Sequence, residues 1–414
     1  MTAAARPLHA LVRHTRSAMR LAGVALDRRR ELGFAELVRR GVTRTRAAAE
    51  LPPQPAPGAV FDVIYAIGYR DGEPQRYRVY NLAEGLGAAG YAVHVLPFDR
   101  LGDIARFGWR AAALVLFRAE YDRFAGIDEA LTGALRAGMR VVYDIDDLVF
   151  DPTLADRIDG LRLLGPHRRR LEIAAMARRR RLIERCGLVT ASTAPLARAA
   201  AALGPEAAVI PNSLNEAQLS LAAELAGRKR APREGVTIGY FSGTRTHQRD
   251  FAVCEPALLE LLERRPEVRF RLVGHLDLGP HWRRFEGRVE RIGLLSPAEL
   301  LRAVAETDIN LAPLELGNPF CEAKSELKFF EAGAVGVPTV ASATEVFAAA
   351  IEDGRSGLLA RDDAGWRAAL DLLAGSPEHR TAIGEAARAS AVARYGIAAV
   401  TKQAVAALGL RAPA

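Results

Sequence analysis

INLAPLELGNPFCEAKSELKFFEAGAVGVPTVAS, Ile309–Ser342, carries a strand, a loop, a helix and a second strand in one run. INLAPL and PTVAS are short, continuous and apolar, as strands covered on both faces are. Asn318-Pro319 marks the loop, helical spacing begins near Ser325, and Gly336 to Pro338 stops it. Strand, helix, strand in that order is the unit of a parallel sheet with helices on its faces. The same alternation extends upstream through VTIGYF (Val236–Phe241), VRFRLVG (Val268–Gly274) and VERIG (Val289–Gly293), and downstream to GLLA (Gly357–Ala360).

A second series precedes it. FDVIYAI (Phe61–Ile67), a helix from about Tyr77 to Ala89, YAVHVL, LVLF, a helix near Ile127 to Ala137, MRVVYDI, GLVTAST and AVIPN alternate up to Asn212. The polar GRKRAPREG (Gly227–Gly235) follows. The expected fold is therefore α/β, with two Rossmann-like doubly wound domains, 60–215 and 216–395, facing across a cleft. A helix or tail at 396–414 closes the chain. Ligands of such sheets sit beyond the carboxyl ends of the strands, and two facing domains leave room for two substrates.

With 414 residues, half of them apolar, the chain can bury two cores. AALVLF (Ala112–Phe117) is the longest apolar run, well short of the roughly 18–20 residues of a membrane-spanning helix. Cys186, Cys254 and Cys321 are few, odd in number and far apart, which fits a reducing cytoplasm better than a disulfide framework.

The net charge of +8 is concentrated: residues 1–50 hold eleven arginines against Asp27, Glu31, Glu36 and Glu50, and the rest of the chain is nearly neutral. A nucleic-acid partner is not expected from a neutral body. In the extension Leu8, Leu11, Val12, Met19, Ala22 and Leu26 recur at helical spacing among arginines. It reads as a basic amphipathic helix, either docked peripherally on an anionic membrane surface or packed on its neighbouring domain. No apolar core follows it of the length a secretory signal needs. ELPPQPAPGA, with four prolines, makes 51–59 a linker.

Within the opening stretch Lys324, Lys328 and Glu331 are spaced i, i+4, i+7 and share a helix face near its amino terminus. Unpaired backbone N–H groups, the helix dipole and two lysines suit a diphosphate, and a carboxylate two turns in suits ribose hydroxyls; a surface Lys–Glu pair is the plain alternative. This segment resembles the donor-site signature of glycosyltransferase family 4 and its group 1 relatives of the GT-B fold, a glutamate followed by Ala and Gly on a short helix ending in Gly-x-Pro. The resemblance implies that Glu331 binds the nucleotide ribose and that Lys324, Ser325 and Glu326 lie against the diphosphate or sugar. The usual pattern has two glutamates separated by seven residues, which puts the first where this chain has Ala323, with Glu322 and Glu326 nearby.

GYFSGTRTHQRDF (Gly239–Phe251) runs from a strand into a loop whose Gly243 admits a close ligand and whose Thr244, Arg245 and His247 suit phosphate oxygens. It resembles the start of the donor domain in a subset of those enzymes, which assigns the leaving diphosphate to Arg245 and then to His247. For His247 a helix cap or loop hydrogen bond is the alternative. By position alone, Gly274 to Gly279 and Ile292 to Leu295 lie where the family places the base.

In the first half MRVVYDIDDLVF ends on Asp144, Asp146 and Asp147, whose mutual repulsion needs an explanation. Asp144 and Asp146 could hold a hard cation. A phosphotransfer pattern with Asp144 as nucleophile wants Thr where Val149 stands. In the GT-B reading Asp144 and Asp146 line the acceptor side as catalytic candidates, and YDIDDLVFD recurs in glycosyltransferases sharing the SGT-x-T-H start. A strand-end structural cluster remains the fourth reading. GYRDGEPQRYRV resembles the glycine-containing first loop of such enzymes; Arg76 and Arg78 would meet phosphate of donor or acceptor there, or else pair with Asp71 or Glu73. HRRRLEIAAMARRRRLIERC (His167–Cys186) reads as an arginine-rich helix, either a solvated face or a hold for an anionic acceptor or headgroups.

The resemblance implies a transferase that retains anomeric configuration, needs no metal or other cofactor, and moves a sugar from a nucleotide diphosphate to a glycan or lipid-linked acceptor in cell-surface polysaccharide synthesis. A non-catalytic sugar-nucleotide-binding component of an assembly complex is the rival.

Overall fold

The computed structural model describes residues 54–68, 74–121, 126–228, 234–243 and 247–413. The basic extension, Thr244 and Arg245 lie outside the described residues.

Two six-stranded sheets form, every pairing parallel. The first has the order β2-β1-β3-β4-β5-β6. Its strands are β1 Val60–Ile67, β2 Val93–Pro97, β3 Arg110–Phe117, β4 Arg140–Ile145, β5 Leu188–Ala191 and β6 Glu206–Val209. The second has the order β12-β11-β10-β7-β8-β9. These are β7 Val236–Ser242, β8 Val268–Gly274, β9 Val289–Ile292, β10 Ile309–Ala312, β11 Thr339–Ser342 and β12 Leu358–Ala360. The central strands are buried along their length, β5, β10 and β11 at every residue, as their unbroken apolar sequences require. Both sheets are doubly wound. Their direction of winding reverses between β1 and β3 and between β7 and β10, so each domain has its crevice there.

The chain returns to the first domain at its end. The Pro377–Tyr395 helix packs on the Leu327–Ala334 helix, then Ile397–Leu408 crosses to the Asn81–Ala88 helix. Val400, Ala404 and Leu408 are buried with Val63, Leu82 and Leu86 in one apolar cluster. The last helix thus covers a face of the first sheet. The Pro377–Tyr395 helix comes this close because glycine lacks a Cβ: one on Gly384 would run into the Gly336 carbonyl, and one on Gly333 would press on Ala387.

Two helices differ from expectation. The one expected over Tyr77–Ala89 is a π-helical turn, Arg76–Tyr80, followed by an α-helix from Asn81 to Ala88. The one expected from Ser325 starts at Leu327, because a separate turn, Pro319–Glu322, capped by Asn318 takes up the preceding residues. Its end is as read, with Gly336 at φ +74°. No described helix is long and apolar enough to cross a membrane.

Candidate functional site

The donor-side residues gather at the crevice of the second sheet. Lys328 lies in the first turn of the Leu327–Ala334 helix, and its Nζ donates to the Phe241 carbonyl at the end of β7, 2.6 Å away. Burial, and then the charge of Lys324, push its ammonium down to about 8. Lys324 precedes the helix, and its Nζ donates to Asp250 Oδ2 at 2.8 Å. Burial opposes its charge, yet Asp250 keeps it above the ordinary lysine value.

Asp250, to which the sequence drew no attention, is the hub. Besides Lys324 it accepts from His247 Nδ1 at 2.9 Å, Cys321 Sγ at 3.2 Å and the Glu315 N–H at 3.3 Å. Burial works against its charge, but the His247 hydrogen bond and Lys324 hold it well below the usual carboxylate range. The His247 ring is lowered to about 4, by burial first and then by Lys324. The neutral ring donates its Nδ1–H in a hydrogen bond to the Asp250 carboxylate, which can only accept. The i, i+3 spacing of His247 and Asp250 was the available signal. His247 precedes the Gln248–Ala252 helix without capping it through its side chain, so its loop hydrogen bond is to Asp250.

Glu331 lies on the same helix, largely buried, and accepts from Tyr77 Oη at 2.5 Å. Tyr77 belongs to the π-helical turn of the first domain, so this hydrogen bond bridges the cleft. Two further bridges flank it: Asn212 Nδ2 to Ser325 Oγ at 3.1 Å, and Thr193 Oγ1 to the Ala323 carbonyl at 2.9 Å. Neither neighbouring carboxylate turns toward the lysines. Glu322 accepts the Gly317 and Glu345 N–H groups, and Glu326 is buried, which raises its carboxyl, beside Tyr395. Gly243 lies at a bend after β7, and among the described residues nothing lies within 4 Å of where a Cβ would stand.

On the first domain the structure joins two residues that were read separately. Arg78 is fully buried, its Nε and Nη2 donating to the two oxygens of Asp144 at 3.0 and 2.7 Å. Thr190 Oγ1 adds a third bond to Asp144 at 2.6 Å, and Arg78 also donates to the Ile210 carbonyl. Both oxygens of Asp144 are thus taken by Arg78, while Asp71 and Glu73 lie outside the described residues. Arg78 and Asp144 form a buried ion pair beneath the cleft, the strand-end structural arrangement. Arg76 is half-buried on the same turn.

Asp146 and Asp147 share Arg118, at the end of β3, with Nε to Asp146 and Nη2 to Asp147 both at 2.5 Å. Nothing in the sequence marked Arg118. Among the described residues it alone, apart from glycines, has positive φ, at 44°. The arginine-rich helix spends its second cluster internally: Arg178 and Arg179 both pair with the buried Glu120, and Arg180 with Glu184.

Residues 249–406 match the family model described as glycosyl transferase-like. The matched segment is thus similar to glycosyl transferases. Among curated relatives, the phosphatidyl-myo-inositol mannosyltransferase of Mycobacterium leprae is 32% identical over 207 residues, 49% of this chain and 53% of that one. The Mycobacterium tuberculosis protein of the same name is 30% identical over 161 residues, 38% and 40% of the two chains. The chain thus aligns with about half the length of these relatives. Among solved structures, Anabaena HepE in complex with UDP and glucose superposes with TM-score 0.53 at 17% identity, over 84% of this chain and 99% of that one. The catalytic domain of Arabidopsis thaliana starch synthase IV, bound to ADP and acarbose, gives TM-score 0.57 at 11% identity, over 85% and 99%. At such identities the likeness concerns the fold, which is GT-B. The family match covers the Lys324–Glu331 segment and nearly all of the return helices behind it.

Proposed function

We propose that the chain transfers a hexose or related sugar from a nucleotide-diphosphate donor to a glycan or lipid-linked acceptor, with retention and without a metal. One observation carries the reading: Lys324, Lys328 and Glu331 converge from one βα unit on the crevice between β7 and β10. Two buried cations beside a helix start would hold the diphosphate and stabilise the charge that grows on it as the glycosidic bond breaks. Glu331 would exchange the Tyr77 hydroxyl for the ribose hydroxyls. Arg245 would add a further cation to the leaving diphosphate.

Metal independence is supported by the pairing of the aspartates. Asp144 is bonded to Arg78, and Asp146 and Asp147 to Arg118, so the first-domain carboxylates are already neutralised by guanidinium groups. The curated relatives act on a phosphatidylinositol by name, which favours a lipid-linked acceptor and a peripheral hold on the inner membrane face through residues 1–50.

A thermal-shift screen of UDP-, GDP-, dTDP- and ADP-sugars tests the donor assignment, since a ligand that binds the folded state raises the melting temperature. One donor is expected to shift the wild type and not Glu331→Ala. No shift from any of them refutes the donor site. Binding without transfer to any acceptor would favour the non-catalytic rival. Equal flotation of full-length protein and a variant lacking residues 1–58 on anionic liposomes would remove the membrane role.

A further inference from the structure

The three aspartates at the end of β4 differ in accessibility. The side chain of Asp144 is 2% exposed, that of Asp146 10% and that of Asp147 33%. Both oxygens of Asp144 are bonded by Arg78, and Asp146 is tied to Arg118. Asp147 gives only Oδ2 to Arg118; among the described residues Oδ1 has no partner. One carboxylate oxygen is thus left open at the carboxyl end of a central strand, where substrates of such sheets bind.

Its placement is built. Arg118 holds the carboxylate from a backbone conformation that non-glycine residues seldom adopt. Three contacts enforce it: the Arg118 N–H donates to the Asp144 carbonyl at 3.1 Å, Tyr143 Oη donates to the Ala119 carbonyl at 2.8 Å, and Gly68 at the end of β1 lies so close to Ala119 that a Cβ would collide. Gly68 and Arg118 end the two strands between which the winding reverses. Burial raises the Asp147 carboxyl, and it is opposed first by Arg118 and more weakly by the charge of Lys324 on the opposite domain.

We propose that Asp147 accepts a hydrogen bond from a hydroxyl of the sugar or polyol acceptor, with Arg118 as its positioning residue. This rests on the transferase reading above and deepens it. A carboxylate held on one oxygen by a guanidinium keeps the other in fixed orientation, which is what directing a hydroxyl toward the donor requires. Asp144 and Asp146 then serve the architecture rather than the substrate.

The test uses the full chain with UDP-glucose and GDP-mannose as donors, and with octyl α-glucoside, octyl α-mannoside and phosphatidylinositol in phosphatidylcholine vesicles as acceptors. Both transfer and acceptor-independent donor hydrolysis are followed. D147N is expected to raise the acceptor KM about tenfold or more while changing donor hydrolysis less than about twofold. D147E should recover part of the loss, and R118K should show the same split more weakly. D147S repeats the measurement if D147N folds poorly, read from its melting temperature and donor hydrolysis.

An unchanged acceptor KM in D147N overturns the proposal and leaves the transferase reading standing. A rise in donor rather than acceptor KM overturns it equally. If the wild type neither transfers from, hydrolyses nor binds either donor, the transferase reading fails and this one with it.

Discussion

Lys328 gives a quantitative handle on the donor site. Its ammonium is pushed from 10.5 down to about 8 by burial and by Lys324. A bound diphosphate adds negative charge beside it and favours the protonated form. If the complex restores the ordinary lysine value, binding takes up a proton wherever free Lys328 has lost one. Affinity then falls as pH rises through about 8. Between about pH 7 and about pH 9 the loss is roughly tenfold, about 1.4 kcal/mol.

The folded free protein shows the opposite sign. The cost of a charged, buried Lys328 is fully present below about 8 and vanishes as pH rises toward the unfolded value of 10.5, so this group's contribution to stability improves with pH over that window. Calorimetric titration of nucleoside diphosphate into wild type and Lys328→Gln at both pH values separates the effect. The ligand's own ionisation is common to both proteins, so the wild type must show the steeper loss. Equal slopes in the two proteins, or wild-type affinity independent of pH, would refute the assignment of Lys328 to the diphosphate.

Arg78→Met strands the Asp144 carboxylate in the interior and is expected to cost about 3–5 kcal/mol, read as a lowered denaturation midpoint; an unchanged midpoint would contradict the buried pair. Tyr77→Phe removes the hydroxyl that occupies Glu331, so a nucleotide need not displace it. A hydrogen bond to a charged group is worth about 1.5–3 kcal/mol, and nucleoside diphosphate affinity should rise by a fraction of that; weaker binding would mean that Tyr77 helps to hold the ligand. Gly384→Ala drives a methyl into the Gly336 carbonyl behind the Leu327–Ala334 helix and should destabilise by about 1–3 kcal/mol. A melting temperature equal to wild type would show that the return helix can shift.

Some of this was legible in the residues. Continuous apolar strands alternating with helices leave a parallel sheet as the arrangement that buries both faces, and the period needs no tertiary information. Gly336 to Pro338 ends a helix by its own backbone geometry, which fixes where Glu331 sits relative to β11. Asn318 and Pro319 were read as a loop, but the extra turn they start moved Lys324 and Ser325 off the helix. A capped turn of four residues leaves too short a pattern to separate from the helix after it.

What the sequence alone determined is therefore the two-sheet architecture and the residue types that could meet a nucleotide. Only the tertiary structure decided which of them are available to one. Arg78 is matched to Asp144 from 66 positions away, Lys324 to Asp250 from 74, and Glu331 to Tyr77 from 254. The physical reason is desolvation: a buried charge must take whichever partner the fold brings to it, and local periodicity carries no record of that choice.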